Sequence, residues 1–145
     1  MPKATVKVFR EKNGDVPLDI WLGVLERRVP LAYVKVLEAI QYVEQLGYEA
    51  DRPYAGTLER GIYEIRVKER RIHYRVLYFF LHGNVICLSH GIIKDTDRVP
   101  PKEIDKAVER MLLVKNDPST HLAEWKIDNW DIDDEDEEEG FDDND

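Results

Sequence analysis

Basic side chains are concentrated in one stretch of this sequence, residues 60–98, which holds eight Lys or Arg and only four acidic residues. Arg66 and Arg75 lie inside segments that have the pattern of β-strands, and a further basic cluster separates them at Lys68, Arg70 and Arg71. A row of guanidinium and ammonium groups on a small sheet is suited to phosphate oxygens. The stretch therefore predicts a basic sheet face that binds a phosphate-rich ligand.

Three strand-like segments hold these cations. Ile62–Val67 alternates apolar with charged residues, which is the period of a strand with one buried face. Ile72–Leu81 is mostly β-branched or aromatic, and Val85–Ile93 has a similar apolar character. Because the connections Lys68–Arg71 and His82–Asn84 are short, the three segments are predicted to form an antiparallel meander.

The remaining elements complete a domain of the α+β class. Thr5–Phe9 has the pattern of a first strand, and Asp19 is predicted to cap a helix over residues 20–28. A longer helix is predicted over residues 31–46, and a last one over residues 102–115, after a pair of prolines. The predicted order is β-α-α-β-β-β-α, with the helices packed on one face of a small antiparallel sheet.

Charge is distributed unevenly along the chain. Residues 128–145 contain twelve acidic residues and no Lys or Arg, so the rest of the chain has a net charge of +3 although the whole chain has −9. We predict a domain over residues 1–115, a short arm or helix over 116–127 and a disordered acidic tail over 128–145. The tail either solvates the chain or folds back on the basic sheet face and takes the place of phosphate.

The cellular compartment and metal content can be predicted from what the sequence lacks. A single cysteine, Cys87, excludes an internal disulfide and favours the reducing cytoplasm. No apolar run approaches transmembrane length and no signal peptide is evident, so we expect a cytoplasmic protein without membrane contact. No metal is expected, because paired ligand spacing is absent among His73, His82, Cys87 and His90.

Four motifs follow one another in and just after the basic stretch: IYEIR at residues 62–66, YRVLY at 74–78, HGIIK at 90–94 and PPKEIDKA at 100–107. Their residue types, order and spacing resemble the RelE/HigB superfamily of toxins from type II toxin–antitoxin systems. The resemblance is strongest to the phage-derived host-inhibition branch of that superfamily. The chain departs from the family pattern at several points. The usual Lys-Lys pair is Lys94-Asp95, an isoleucine stands in place of the aromatic residue before it, no Lys precedes Leu58, and the acidic tail is not a usual family feature.

The resemblance implies a RelE-like fold and an endoribonuclease that cleaves mRNA, usually on the ribosome. In that reaction a ribose 2′-OH attacks the adjacent phosphate, and neither a metal nor another cofactor is required. The reaction needs a base for the 2′ proton, cations for the extra charge on the phosphate and an acid for the leaving oxygen. The resemblance also implies a cognate antitoxin, in most cases a small helix-turn-helix protein.

The same resemblance gives the basic residues separate roles. Arg66 and Arg75 are expected to stabilise the phosphate, since the planar guanidinium fork matches its oxygens. Lys94 and His90 are the candidates for phosphate contact and proton transfer. The residues expected to hold RNA elsewhere are Lys68, Arg70, Arg71 and Arg98, through the backbone, and Tyr74, through base stacking.

Structural alternatives exist for these roles. Arg66 has possible ion-pair partners nearby, Glu64 and Glu69, and such a pair on a solvated strand face would carry no function. His90 alternates along its strand with apolar residues, Ile86, Leu88 and Ile92, which is the position of a packed histidine. The chain as a whole is alternatively a non-catalytic module that holds RNA or a protein partner, with its acidic tail over the basic face.

Overall fold

A computed structural model describes residues 3–51 and 53–126 of the protein. Within these ranges no helix has the length and apolar character needed to cross a bilayer. The α+β class is confirmed. The elements of the described chain are β1 (Thr5–Phe9), α1 (Pro17–Arg28), α2 (Pro30–Leu46), β2 (Ala55–Thr57), β3 (Ile62–Glu69), β4 (Ile72–Phe80), β5 (Val85–Lys94), α3 (Pro101–Asn116), α4 (Pro118–His121) and β6 (Leu122–Glu124).

The strands form one sheet in the order β2-β3-β4-β5-β1-β6. β3, β4 and β5 form the predicted antiparallel meander, in which Ile62 pairs with Phe79 and Phe80 with Ile86. β1 runs parallel to β5, and the intervening helices and strands supply the long connection that a parallel pair requires. The sheet is therefore mostly antiparallel, with one parallel pair that the sequence pattern did not indicate.

Two short strands that were not predicted extend the sheet at its edges. β2 pairs with β3 over three residues, and beyond its end the edge of β3 from Val67 to Glu69 has no neighbouring strand in the described chain. β6 pairs with β1, where Lys7 lies opposite Glu124. Within the range predicted as a short arm or helix, residues 116–127, Pro118–His121 forms α4 and Leu122–Glu124 forms β6. The predicted acidic tail lies outside the described residues.

The helices lie on both faces of the sheet. Leu22 of α1 and Ile40 of α2 share a core with Val76, whereas Ile104 of α3 shares a separate core with Leu77 on the opposite face. The expectation that the helices share one face is therefore wrong. The physical reason is that β4 buries consecutive residues and is apolar on both sides, so each side requires a covering layer.

The first helix is positioned by proline and by one glycine of the sheet. α1 begins at Pro17, two residues before the predicted cap Asp19, because proline is favoured in a first helical turn. Trp21 then packs directly on β5. A Cβ atom at Gly91 would overlap the Trp21 ring, so the backbone of β5 accepts the indole only because residue 91 is glycine.

A β-bulge changes the direction of one candidate residue. Tyr78 pairs with Leu88, but the preceding Leu77 pairs with His90, so Ser89 is an extra residue in β5. A one-residue shift moves each following side chain to the other face. His90 therefore lies on the α3 face of the sheet and not, as simple alternation predicted, on the same face as Leu88.

Candidate functional site

Arg66 and Arg75 are directly opposite each other in the pairing of β3 with β4. Side chains of paired residues point to the same face, so the two guanidinium groups are neighbours. Both approach Asp97, which lies in the loop between β5 and α3. The structure thus brings together the two arginines that the sequence singled out.

Arg75 is held rigidly, with only 2% of its surface exposed. Its Nε donates a hydrogen bond of 2.9 Å to Oε1 of Glu64, which is itself buried. Its Nη2 donates to the Asp97 carboxylate and, at 3.3 Å, to the Asp97 backbone carbonyl. Because one side of the guanidinium is fixed by Glu64, its remaining donors are aimed at the position of Asp97.

Arg66 is less enclosed, since 22% of its side-chain surface is exposed. Its Nη1 lies 3.9 Å from Oε2 of Glu64, and its Nη2 lies 3.4 Å from Oδ1 of Asp97. The Glu64 contact is one of the two ion pairs considered as a structural alternative for Arg66. The side chain is nevertheless partly exposed and lines a cleft, where an anion can reach it.

His73 joins the two arginines, although the sequence analysis did not single it out. Its Nδ1 lies 3.9 Å from Oδ1 of Asp97. The sequence could have indicated His73, because it lies two residues before Arg75 in the same strand and residues at that spacing share a face. An imidazole exchanges protons readily near neutral pH, so this position suits proton transfer.

These side chains line a cleft of about 890 Å³ at the free edge of β3. The opposite wall is formed by α2 and by the segment before β2. Tyr54, which is 48% exposed, lies in that wall and makes an edge contact with Tyr42 at 5.1 Å between ring centroids. Outside the arginine pair, the lining contains the charged residues Lys35, Glu38, Lys68 and Asp97 together with His73.

The remaining basic candidates belong to the cleft lining or lie close to its residues in the sequence or the strand pairing. Lys68 is exposed and contributes to its lining, and Arg70 and Arg71 form the exposed turn between β3 and β4. Arg98 follows Asp97 and is also exposed, while Lys94 is half-buried and lies opposite His73 in the strand pairing. With respect to residues 3–51 and 53–126, no ion pair is formed by Lys68, Arg71, Lys94 or Arg98.

Tyr74 does not reach the cleft. Its side chain points to the face covered by α1 and α2 and is 4% exposed, so it cannot stack on a base as expected from the sequence. Burial, together with the charge of Glu69, raises the pKa of its hydroxyl. Tyr54 is the aromatic residue that the structure places at the cleft instead.

His90 is also separated from the cleft. It is 5% exposed, its Nε2 lies 3.0 Å from Oε1 of Glu103 in α3, and its Nδ1 lies 2.8 Å from the Ser89 hydroxyl. Burial lowers the pKa of His90 to about 4, against the opposing effect of the Glu103 carboxylate. This position fits the structural alternative, in which His90 connects β5 to α3.

Comparison with known proteins places the chain in a family. No curated protein matches it. Across the part of the chain that the structure describes, no group of three or more His, Cys, Asp or Glu side chains has a metal-binding arrangement. Residues 21–112, which include the whole meander and most of α3, match the family described as phage-derived protein Gp49-like. Because this match spans more than half of the chain, the protein belongs to the Gp49-like family of phage-derived proteins (DUF891), a family associated with toxin–antitoxin systems.

Proposed function

We propose that this protein is the toxin of a type II toxin–antitoxin system, of the RelE/HigB type, and that it cleaves mRNA on the ribosome. The observation that carries the proposal is the convergence of Arg66 and Arg75, from paired positions of adjacent strands, on one solvent-reachable cleft. The family membership supports the toxin class, and the cleft supports a phosphodiester as the ligand.

The two arginines would stabilise the charge that develops on the phosphate. When the 2′-OH attacks, the phosphorus becomes pentacoordinate and carries additional negative charge, which positioned donors stabilise by about 3 kcal/mol each. Arg75 is suited to this task because Glu64 fixes its orientation before substrate binds. The nucleophile belongs to the RNA itself, so the reaction proceeds without a metal-bound water or another cofactor.

Proton transfer is best assigned to His73. It lies on the same strand and the same face as Arg75 and lines the cleft, whereas His90 is enclosed between β5 and α3. Lys94 remains a candidate for phosphate contact, since it lies opposite His73 in the strand pairing. General acid–base catalysis requires the donor or acceptor within hydrogen-bond reach of the reacting oxygen, which only a group in the cleft can satisfy.

RNA beyond the scissile phosphate would be held by exposed groups around the cleft. Lys68 lines it, and Arg70 and Arg71 are exposed in the turn that follows β3, where Arg70 Nε lies 3.8 Å from Oε2 of Glu69. Arg98 is exposed next to Asp97 in the chain. Tyr54 presents an exposed aromatic ring in the opposite wall, where a base could stack. We assign this stacking role to Tyr54 in place of the buried Tyr74.

An antitoxin would neutralise the protein. Toxins of this class are produced with a cognate partner, which we expect to be a small helix-turn-helix protein. A cation-rich cleft that must bind RNA has to be covered or distorted by the partner to be silenced. Co-expression of a neighbouring helix-turn-helix gene should therefore abolish toxicity and yield a stable complex.

Inducible expression in a bacterial host tests the enzymatic proposal. The intact protein should arrest growth and cleave mRNA in vivo, detected by primer extension, and Arg66→Ala should reduce cleavage by roughly a hundredfold, as for loss of one positioned donor. Arg60→Ala is the matched control, because Arg60 is an exposed arginine paired with Asp105 and does not line the cleft. Equal cleavage by the Arg66 and Arg60 variants would contradict the proposed site.

A second function has a specific observation in its favour. Arg75 is almost fully buried and already bonded to Glu64 and Asp97, which is also the arrangement of a structural ion pair. The protein would then be a non-catalytic module that holds RNA or a protein partner on its basic surface, with the acidic tail covering that surface. A harmless intact protein that still binds RNA would support this function over the endoribonuclease.

A further inference from the structure

Asp97 combines two properties that rarely occur together. Its side chain is 66% exposed in the loop between β5 and α3, yet three side chains of the sheet converge on the same oxygen, Oδ1. These are Nη2 of Arg75, Nη2 of Arg66 at 3.4 Å and Nδ1 of His73 at 3.9 Å. An exposed carboxylate with one surface partner contributes little, so this degree of convergence requires another explanation.

The three groups form a receptor for one anionic oxygen. Arginine binds carboxylate and phosphate oxygens with the same planar geometry, so a phosphate oxygen can take the place of Oδ1. The charges agree as well. Arg66 and Arg75 are balanced by Glu64 and Asp97, and a phosphodiester carries the same single negative charge as the Asp97 side chain.

We propose that Asp97 is an internal competitor that occupies the phosphate position of the cleft and is displaced when a phosphodiester binds. This inference rests on the proposed function for the identity of the ligand, although it does not require cleavage. The occupant is held by a loop and not by a core element: residues 95–98 are all exposed, and the chain is anchored again only at the buried Val99. The Asp97 carboxylate can therefore leave without opening either core.

Displacement has a cost that sets the apparent affinity for RNA. While Asp97 occupies the receptor, an incoming phosphate must displace it. The net binding free energy is then only the difference between the interaction of the phosphate with the receptor and that of Asp97. Removal of the competing charge leaves Arg66 and Arg75 with Glu64 as their one carboxylate partner in the described chain. The vacated receptor has a net positive charge and should attract phosphate more strongly, particularly at low ionic strength.

The experiment measures binding of a short single-stranded 2′-O-methyl RNA, which cannot be cleaved because its 2′ oxygen is blocked. Asp97→Asn in the full-length protein should lower the Kd by about five- to tenfold at low salt. The gain in affinity should shrink as the salt concentration rises, because screening weakens the added net positive charge of the receptor. Fluorescence anisotropy reports both quantities.

Two controls isolate the Asp97 charge. Asp95→Asn removes another exposed aspartate from the same loop, one without an ion pair to the described residues, and should shift the Kd less than twofold. Asp97→Glu retains the charge and should retain the affinity of the intact protein. An unchanged or weaker affinity of Asp97→Asn, or an equal gain with Asp95→Asn, overturns the inference.

The outcomes separate this inference from the proposed function. If the intact protein cleaves mRNA but Asp97→Asn binds RNA no more tightly, the competitor is absent and the endoribonuclease stands. If Asp97→Asn binds more tightly but neither form cleaves, the competitor stands and the enzymatic proposal fails. Asp97→Ala, which also removes the hydrogen-bonding oxygen that Asn keeps, should bind at least as tightly as Asp97→Asn and repeats the test with a smaller side chain.

Discussion

At the scale of single residues, the buried pair of Glu64 and Arg75 determines what the site can do. Burying two charges costs desolvation energy that their mutual attraction only partly returns, so the pair contributes little net stability by itself. Its effect is on geometry. The 2.9 Å hydrogen bond from Nε of Arg75 to Glu64 sets the guanidinium plane and directs Nη2 toward the cleft. Glu64 is thus a positioning residue in the proposed reaction.

This arrangement predicts a stability cost for removing one partner alone. Glu64→Ala removes the buried carboxylate partner of Arg75 and leaves only Asp97, in an exposed loop, to balance its charge. It should lower the free energy of unfolding by about 3 kcal/mol, measured by urea denaturation. Asp105→Ala breaks the exposed pair with Arg60 and should change stability little, because water screens that contact. Similar losses of unfolding free energy in the two variants would show that solvent screens the Glu64–Arg75 pair as it screens the exposed pair.

At the scale of elements, one histidine connects the sheet to α3. The bulge at Ser89 turns His90 toward α3, where it meets Glu103 in the first turn. Burial favours the neutral imidazole and lowers its pKa to about 4 from an ordinary value of 6.5. In an unfolded chain the imidazole of His90 takes up a proton near its ordinary pKa of 6.5. Between pH 4 and pH 6.5 the unfolded state therefore binds more protons than the folded state.

The sign of this difference predicts acid sensitivity. Because the unfolded state binds the proton first, stability from His90 is complete above pH 6.5 and is lost as pH falls toward 4, at roughly 1.4 kcal/mol per pH unit. His90→Gln should flatten the fall in unfolding free energy over that window, measured by urea denaturation at several pH values. His82→Gln, at an exposed turn, should leave the pH dependence as it is in the intact protein.

At the scale of the whole molecule, charge is divided between two parts of the chain. The residues before 128 have a net charge of +3, and the twelve acids after them bring the chain to −9.

The described chain ends near the end of the sheet at which β5 starts, and the turn that carries Arg70 and Arg71 is at the opposite end. β5 spans roughly 33 Å, and eighteen extended residues reach about 60 Å, so the distance alone does not prevent contact.

We therefore predict that the acidic residues weaken RNA binding in a salt-dependent manner. Deleting residues 128–145 should lower the Kd for a short RNA at about 20 mM salt, and the difference should shrink at about 0.5 M, where screening acts over a few ångströms. Replacing the twelve acids by Asn and Gln separates charge from chain length, and it should reproduce the effect of the deletion. Equal affinities at low salt for all three proteins would leave the tail without a role in binding.

The sequence by itself determined the α+β class and the central meander. Alternation in β3 and the β-branched and aromatic run of β4 follow from local periodicity, and short turns then leave antiparallel pairing as the available arrangement. The same local signals identified Arg66 and Arg75 as cations inside strands. Periodicity also predicted α2 and α3 to within about two residues, because their apolar faces and prolines are encoded nearby in the chain.

Only the tertiary structure decided which of these residues share a site. His73 and Asp97 reach the arginines through pairing and loop placement, which are contacts between residues distant in sequence. The bulge moved His90 to α3, and the packing of α1 and α2 buried Tyr74 while leaving Tyr54 at the cleft. Local pattern fixes the period of a strand, whereas its register, its bulges and the cover on each face depend on the packing of the whole chain.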